Sequence, residues 1–309
     1  MMPGSAVVHA VVVTFYPDSD HLTSLIARLL EEVNLVHIVD NTPERAYGAR
    51  EAVGIRAHSD RVSLWEFGEN LGVAAGFNRG INLALEAGAA YVLLSDQDSL
   101  PGTGMVPRLL STLRQQELQG KKVAVVGPDF VNNVDERSFR FDDAAGQVLL
   151  YRKVRPSVDT PVIEVASVIS SGSLIPISSL KAIGHMREDL FVDYVDMEWC
   201  ERARREGFVC LADGAALMHH EMGEDRLEFW LLRRRTVARY GLLRLRYQAR
   251  NSTYLATRPG VVWSFRVGVA WTLLGKFYAY LVTFDRRGKS LIALMHGISM
   301  GLIGKLGKL

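Results

Sequence analysis

The chain opens on an unbroken run of β-branched and apolar residues, Val7 to Tyr16. It then switches to apolar positions at helical spacing: Leu22, Leu25, Ile26, Leu29 and Val33. A strand followed by a helix is expected. The unit recurs, with short apolar strands at Leu35–Val39, Val62–Phe67 and Tyr91–Leu94, and a helix over Gly72–Glu86. Strands that are apolar at every position, alternating with helices, call for a mostly parallel sheet covered on both faces. The section from Val123 to Pro176 is less regular, with a hairpin expected around Phe139–Arg152 and a strand running into Ser170-Ser171-Gly172-Ser173. A helix from Asp196 to Glu206, stopped by Gly207, and a strand from Phe208 toward Leu217 follow. Beyond Glu221 the period becomes helical, with Leu227, Trp230, Leu231, Ala238, Leu242, Leu245 and Ala249 on one stripe.

Charge divides the chain in two. Residues 226–309 hold 16 Lys and Arg against only Glu228 and Asp285, a net +14; with +2 overall, residues 1–225 carry −12. The expected organisation is therefore a domain over 1–225 and a basic, aromatic-rich helical extension over 226–309 that faces something anionic. The uncharged run Val267–Gly275 of the extension, stopped by Arg266 and Lys276, falls well short of the roughly 18 apolar residues of a spanning helix. Cys200 and Cys210 form neither a disulfide framework nor a Cys-x-x-Cys pair, so two buried thiols in a reducing compartment are expected. The first residues show no secretory pattern, which adds to the expectation of a cytoplasmic protein.

In parallel sheets the ligand crevice lies beyond the carboxyl ends of the strands, so the polar residues there carry the candidate chemistry. Asp96 and Asp98 stand two positions apart after a buried strand, where both can reach one hard divalent cation that also takes diphosphate oxygens. Asp and Ser are also favoured in plain turns, here running into Leu100-Pro101-Gly102. Asp40-Asn41 ends the second strand and offers groups to a base or ribose, or caps the turn before Pro43. Around Gly72 small residues permit close backbone approach, with Asn70, Asn78 and Arg79 as polar arms. Absence of a G-x-G-x-x-G fingerprint and of a Walker loop argues against NAD and P-loop nucleotide binding. Asp193, Asp196 and Glu198 open a helix whose end carries Arg202, Arg204 and Arg205, which is also how a well-capped helix reads. His219 and His220 end the next strand and offer imidazoles to a metal or phosphate.

In this order the pieces resemble a family-2 glycosyltransferase of the GT-A nucleotide-diphospho-sugar transferase fold, and most closely its bacterial rhamnosyltransferase branch. The resemblance spans nearly the whole chain. It is carried by Val13-Thr14-Phe15-Tyr16-Pro17, Val39-Asp40-Asn41, Glu69-Asn70-Leu71-Gly72-Val73-Ala74, Ser95-Asp96-Gln97-Asp98 and Ser171-Gly172-Ser173. Phe191 through Cys200, His220 with Gly223, and Arg246-Tyr247-Gln248-Ala249-Arg250-Asn251 complete the set. By this resemblance the nucleotide falls to Thr14, Phe15 and Asp40, a Mg²⁺ or Mn²⁺ ion to Asp96, Asp98 and His220, and the general base to Asp196. Further substrate contacts are expected from Tyr16, Asn41, Asn70, Gly72, Asn78, Arg79, Ser171, Gly172, Asp193, Glu198, Trp199 and Arg250.

The resemblance implies a single inverting displacement, with dTDP-L-rhamnose as donor and a growing glycan on a polyprenyl diphosphate as acceptor at the inner face of the plasma membrane. Other nucleotide sugars, such as those of hexoses or galactofuranose, serve the same fold, and a non-catalytic nucleotide- or glycan-binding module uses the same acids as caps. The basic tail has no zinc-finger, RNA-recognition or helix-turn-helix signature, so no nucleic-acid partner is expected. Two uses of residues 261–309 fit the pattern. In one, Leu291, Leu294, Met295, Ile298 and Leu302, with Trp263, Trp271, Phe277, Tyr278 and Tyr280, lie on an anionic membrane surface as in-plane helices. In the other, the helices pack on the rest of the chain or on a second subunit of a homo-oligomer through Gly297, Gly301 and Gly304.

Overall fold

The structure, a computed structural model, describes residues 7–43, 48, 50, 60–131, 141–144, 152–220, 226–231 and 233–309, and only the backbone of 220, 226, 231, 233–236 and 287. Two compact units divide the chain. One comprises Met1–Ala145, Lys153–Arg187 and Asp196–Glu221; the other comprises Gly146–Arg152, Glu188–Val195 and Met222–Leu309.

The first unit is a mixed, mostly parallel sheet flanked by helices. Its strands are β1 (Val8–Thr14), β2 (Leu35–Pro43), β3 (Val62–Gly68), β4 (Tyr91–Asp96), β5 (Ser99–Pro101), β6 (Val123–Val131), β9 (Val162–Val165), β10 (Leu174–Pro176) and β11 (Val209–His220). A two-residue ladder joins β7 (Phe141–Asp142) to β8 (Lys153–Val154), where the sequence suggests a hairpin. The sheet order is β3-β2-β1-β4-β10-β6-β11-β5, with β9 also on β11. The first four strands run parallel, β10 is antiparallel to both β4 and β6, and β6 and β11 are parallel. The carboxyl ends of β1, β2, β3 and β4 therefore share one edge, with Thr14 opposite Asp40 and Val13 opposite Asp96.

The helices are α1 (Ser19–Leu30), α2 (Val73–Glu86), α3 (Met105–Leu118), α4 (Ile177–Ile183) and α5 (Val195–Arg205). The two faces of β1 explain its unbroken apolar run. Val8, Ala10 and Val12 join Leu22, Leu25 and Leu29 of α1 in one core, while Val11 and Val13 lie under Gly80 and Gly76 of α2. A Cβ at Gly76 would sit 2.7 Å from Val13 Cγ1, so glycine lets α2 lie directly on the strand. Asp18 caps α1 by accepting the His21 N–H at 2.9 Å.

The acidic turn runs into β5, which sets Leu100-Pro101 antiparallel to the end of β11. One expectation needs correction. Residues 226–238 are not helical: β12 (Arg226–Leu231) and β13 (Arg233–Ala238) form an antiparallel hairpin. Leu227, Trp230 and Leu231 fit a helical stripe, yet exposure alternates along the strand, with Leu227 and Phe229 half-buried and Glu228 and Trp230 exposed. Short apolar runs are ambiguous between the two periods, and cross-strand pairing decides.

The second unit adds α6 (Leu242–Thr257), α7 (Trp263–Thr283) and α8 (Lys289–Ile303). Leu245, Ala249, Tyr280, Ala293 and Leu294 form its core, with Leu291 and Ile298 packed against it. Gly297 and Gly301 bring α8 against the backbone of α6 at Arg246 and Arg250. Three of the five stripe positions on α8 thus face inward, while Met295 and Leu302 of the stripe, and Ile292 and Ile303 beside it, are exposed. Among the described residues no helix is long and apolar enough to cross a membrane.

Candidate functional site

Asp40 organises the edge of the first unit at the carboxyl ends of β1 and β2. It is buried, and its Oδ1 accepts from Thr14 Oγ1 (2.8 Å), Thr42 N (3.1 Å) and Thr42 Oγ1 (2.7 Å). Thr42 Oγ1 in turn accepts the Tyr16 N–H at 2.9 Å, which holds Tyr16 at φ +48°. The lip after β1 is fixed from beneath by a carboxylate, and the rings of Phe15 and Tyr16, in edge contact at 4.6 Å, are left exposed. Asn41 is buried beside it and bridges to the next loop: its Oδ1 accepts from Leu71 N (3.0 Å) and its Nδ2 donates to Gly72 O (3.3 Å). Asn70 Oδ1 accepts the Gly72 N–H at 2.9 Å, shaping the start of α2.

Asp96-Gln97-Asp98 forms the turn between β4 and β5. Gln97 clasps the end of β1 in both directions: Phe15 N donates to Oε1 (2.7 Å), and Nε2 donates to Phe15 O (3.2 Å). On the other side the Asp96 N–H donates to the buried Ser171 Oγ at 3.3 Å. The Ser170–Ser173 turn lies on β4 through Gly172 N to Leu94 O (2.8 Å) and Leu94 N to Ser173 O (2.9 Å). Gly172 has φ +78°, and a Cβ there would fall 2.7 Å from Pro128 Cγ. From the same turn Ser170 N donates to Asp196 Oδ2 at 3.1 Å, and Asp196 Oδ1 accepts the Met197 N–H at 2.8 Å. One short turn thus connects the acidic pair at the end of β4 with the carboxylate that opens α5.

The register of β5 on β11 sets His220 opposite Ser99, the residue after Asp98, and His219 opposite Leu100. The side chain of His220 lies outside the described residues. Asp98 is exposed, and the two turn carboxylates supply hard oxygen donors of the kind Mg²⁺ and Mn²⁺ take. Among the described residues no group of three or more His, Cys, Asp and Glu side chains gathers at one point.

Other expected contacts have different surroundings. Asn78 is buried and exchanges two 2.9 Å bonds with the backbone of Met186. Arg79 stacks on Trp65, 3.7 Å from the ring centroid. Glu198 is buried and receives Arg202 Nε at 2.9 and 3.1 Å, while Trp199 sits in the core and donates Nε1–H to Gly184 O (2.8 Å). The free thiols are buried as expected; hydrogen bonding to Cys210 and burial hold Cys200 well above the ordinary thiol range, so it stays protonated.

In the second unit Asp193 receives the fork of Arg244 at 3.1–3.3 Å. Arg250 is fully buried, lowered in pKa by that burial, and donates to the carbonyls of Asp189, Leu190 and Gly307. Burial pushes the Tyr194 phenol up to about 12, so it stays protonated.

Sequence reasoning passed over Gln97, Thr42 and Ser170. Each neighbours a candidate, and each acts through hydrogen bonds that spacing does not announce.

No family model matches the chain. It is similar to the dTDP-rhamnosyl transferase RfbF of Shigella flexneri, 26% identical over 254 residues that cover 82% of this chain and 81% of that protein. Among solved structures it is similar to GalNAc-T7 with UDP, GalNAc and Mn²⁺, at a TM-score of 0.56 and 11% identity. That likeness covers 92% of this chain but 59% of the other, so the chain spans well under two thirds of that protein's length. It is likewise similar to S. aureus TarS residues 1–349, at a TM-score of 0.56 and 11% identity over 96% of this chain and 80% of that one. The fold is GT-A, with helices at the C-terminus. The sequence relative and the fold together support a glycosyltransferase.

Proposed function

We propose that the chain is an inverting glycosyltransferase that moves L-rhamnose from dTDP-L-rhamnose to a glycan on a polyprenyl diphosphate. The carrying observation is the connection of Asp96-Gln97-Asp98, through Ser171 and Ser170, to Asp196. The name of the Shigella relative supports the donor. The exposed Phe15 and Tyr16 rings offer a surface to the base, with Asp40 acting through Thr14 and Thr42. Asp96 and Asp98, with His220, would hold Mg²⁺ or Mn²⁺, which when bound offsets charge developing on the departing diphosphate. Asp196 takes the proton of the acceptor hydroxyl as that oxygen attacks the anomeric carbon from the face opposite the nucleotide. The hydrogen bonds from Ser170 N and Met197 N orient the Asp196 carboxylate before substrate arrives.

The same proposal assigns 1–225 to catalysis and 226–309 to attachment at the inner face of the plasma membrane. Trp263, Trp271 and Leu274 of α7 and the exposed face of α8 supply apolar and interfacial residues. Several cations of that unit are turned inward, Arg239 to Asp285, Lys276 to Gln248 and Arg266 to Ala256 O, so apolar burial carries much of the attachment. Vesicle flotation tests this: binding that needs anionic lipid supports it, whereas indifference to lipid together with a stable dimer moves the face to a second subunit.

The donor is tested by offering dTDP-rhamnose and UDP-hexoses with a polyprenyl-diphosphate glycan, with and without Mn²⁺. Transfer from dTDP-rhamnose with inverted anomeric configuration is expected. Preference for another nucleotide sugar overturns the donor assignment, and no transfer from any donor overturns the enzyme.

A further inference from the structure

We propose that Gln97 is a positioning residue that locks the acidic turn to the lip after β1, so that ion binding and nucleotide binding are coupled through one side chain. The inference rests on the glycosyltransferase reading above and adds to it a residue between the two aspartates. The β1–β4 ladder ends where Val13 faces Asp96. One step further the two backbones no longer pair, and the primary amide of Gln97 substitutes for the missing peptide group. Its Oε1 accepts the Phe15 N–H at 2.7 Å and its Nε2 donates to Phe15 O at 3.2 Å. With both amide heteroatoms bonded to Phe15, Gln97 is placed to hold the turn. Two antiparallel hydrogen bonds fix orientation as well as distance, which a single contact cannot do.

The surroundings make this clasp consequential. On the lip, Tyr16 follows at φ +48°, with its N–H on Thr42 Oγ1. On the turn, the Asp96 N–H is on Ser171 Oγ, and exposed Asp98 leads into β5. Each segment has its own anchor within the sheet. Gln97 extends the link between them beyond the β1–β4 ladder, so an ion that orders the turn orders Phe15 with it, and a nucleotide seated on the lip orders the turn in return. Such coupling is reciprocal by thermodynamic necessity.

The test compares the wild type with Gln97→Met, which keeps length and volume, and with Gln97→Ala. Isothermal titration of dTDP is run without and with Mn²⁺, and exchange of the Phe15 amide is followed by hydrogen–deuterium exchange. Expected are melting temperatures within a few degrees of wild type, nearly unchanged metal-free dTDP affinity, and faster Phe15 exchange. The Mn²⁺ enhancement of dTDP binding should fall roughly 10-fold, the scale of two lost hydrogen bonds. If both variants keep the full enhancement and the wild-type exchange rate, the clasp is not a coupling element and the inference fails. A wild type that binds no dTDP under any condition instead overturns the rhamnosyl-donor reading on which the inference rests.

Discussion

Asn251 on α6 holds the segment between Leu190 and Tyr194 in a shape it would not keep alone. Phe191, Asp193 and Tyr194 have φ of +66°, +61° and +67°. For residues with a Cβ the left-handed region costs roughly 1–2 kcal/mol each, or about 3–6 kcal/mol together. What offsets this is local: the fully buried Asn251 donates Nδ2–H to Leu190 O (2.9 Å), Val192 O (2.8 Å) and Asp193 O (3.1 Å). Phe191 stacks on Tyr247 at 4.9 Å and 9°. Asn251→Ala removes the donor shared by three carbonyls; a buried polar group left without a partner costs about 1–3 kcal/mol, and two protons serve the three acceptors. The expected loss for the second unit is therefore about 2–4 kcal/mol, read by denaturant unfolding, with amide exchange rising selectively over residues 188–195. Asn251→Asp, which sets a second acceptor against those carbonyls, should be at least as damaging. A loss under about 0.5 kcal/mol with unchanged exchange would refute the reasoning.

Gly301→Ala should lower stability by about 1–3 kcal/mol in thermal unfolding, because its Cβ would fall 2.5 Å from the Arg250 carbonyl oxygen. Gly275→Ala, inside α7 with nothing within 4 Å, should be neutral or gain up to about 1 kcal/mol. His9 Nδ1 and His37 Nε2 lie 3.1 Å apart in the sheet, and burial first, then the charge of His9, lowers His37 to about 4. Both rings are thus neutral in the fold while the unfolded chain protonates near the ordinary 6.5; stability should be full above 6.5 and fall as pH drops toward 4, and His37→Gln should flatten that slope in unfolding titrations. Asp98→Ala, and more mildly Asp96→Ala, should abolish the Mn²⁺ enhancement of dTDP binding in calorimetry while leaving the melting temperature in place.

The parallel half of the sheet was legible because strands buried on both faces leave unbroken apolar runs, and the residues at their ends follow from topology. The antiparallel additions were not: β5 is three residues long, and the β12–β13 hairpin carries apolar positions that fit either period. Among the candidates, residue type marked Asp96, Asp98 and Asp196, whose setting is a turn or a helix start. It did not reveal that Asn78, Trp199 and Arg250 bond to backbone groups distant in sequence. Gln97 and Asn251 stayed hidden because their partners lie far off in sequence, Phe15 for one and Leu190–Asp193 for the other.

The central claim is that Asp196 is the general base of a metal-assisted transfer, and Asp196→Asn tests it most directly. Asn keeps the shape of the side chain and an oxygen to accept from Ser170 N or Met197 N. Measured side by side, dTDP and Mn²⁺ binding should stay within about twofold of wild type, while transfer of rhamnose falls by about 10²–10⁴-fold, the contribution of a positioned base. Turnover close to wild type with binding intact would contradict the account.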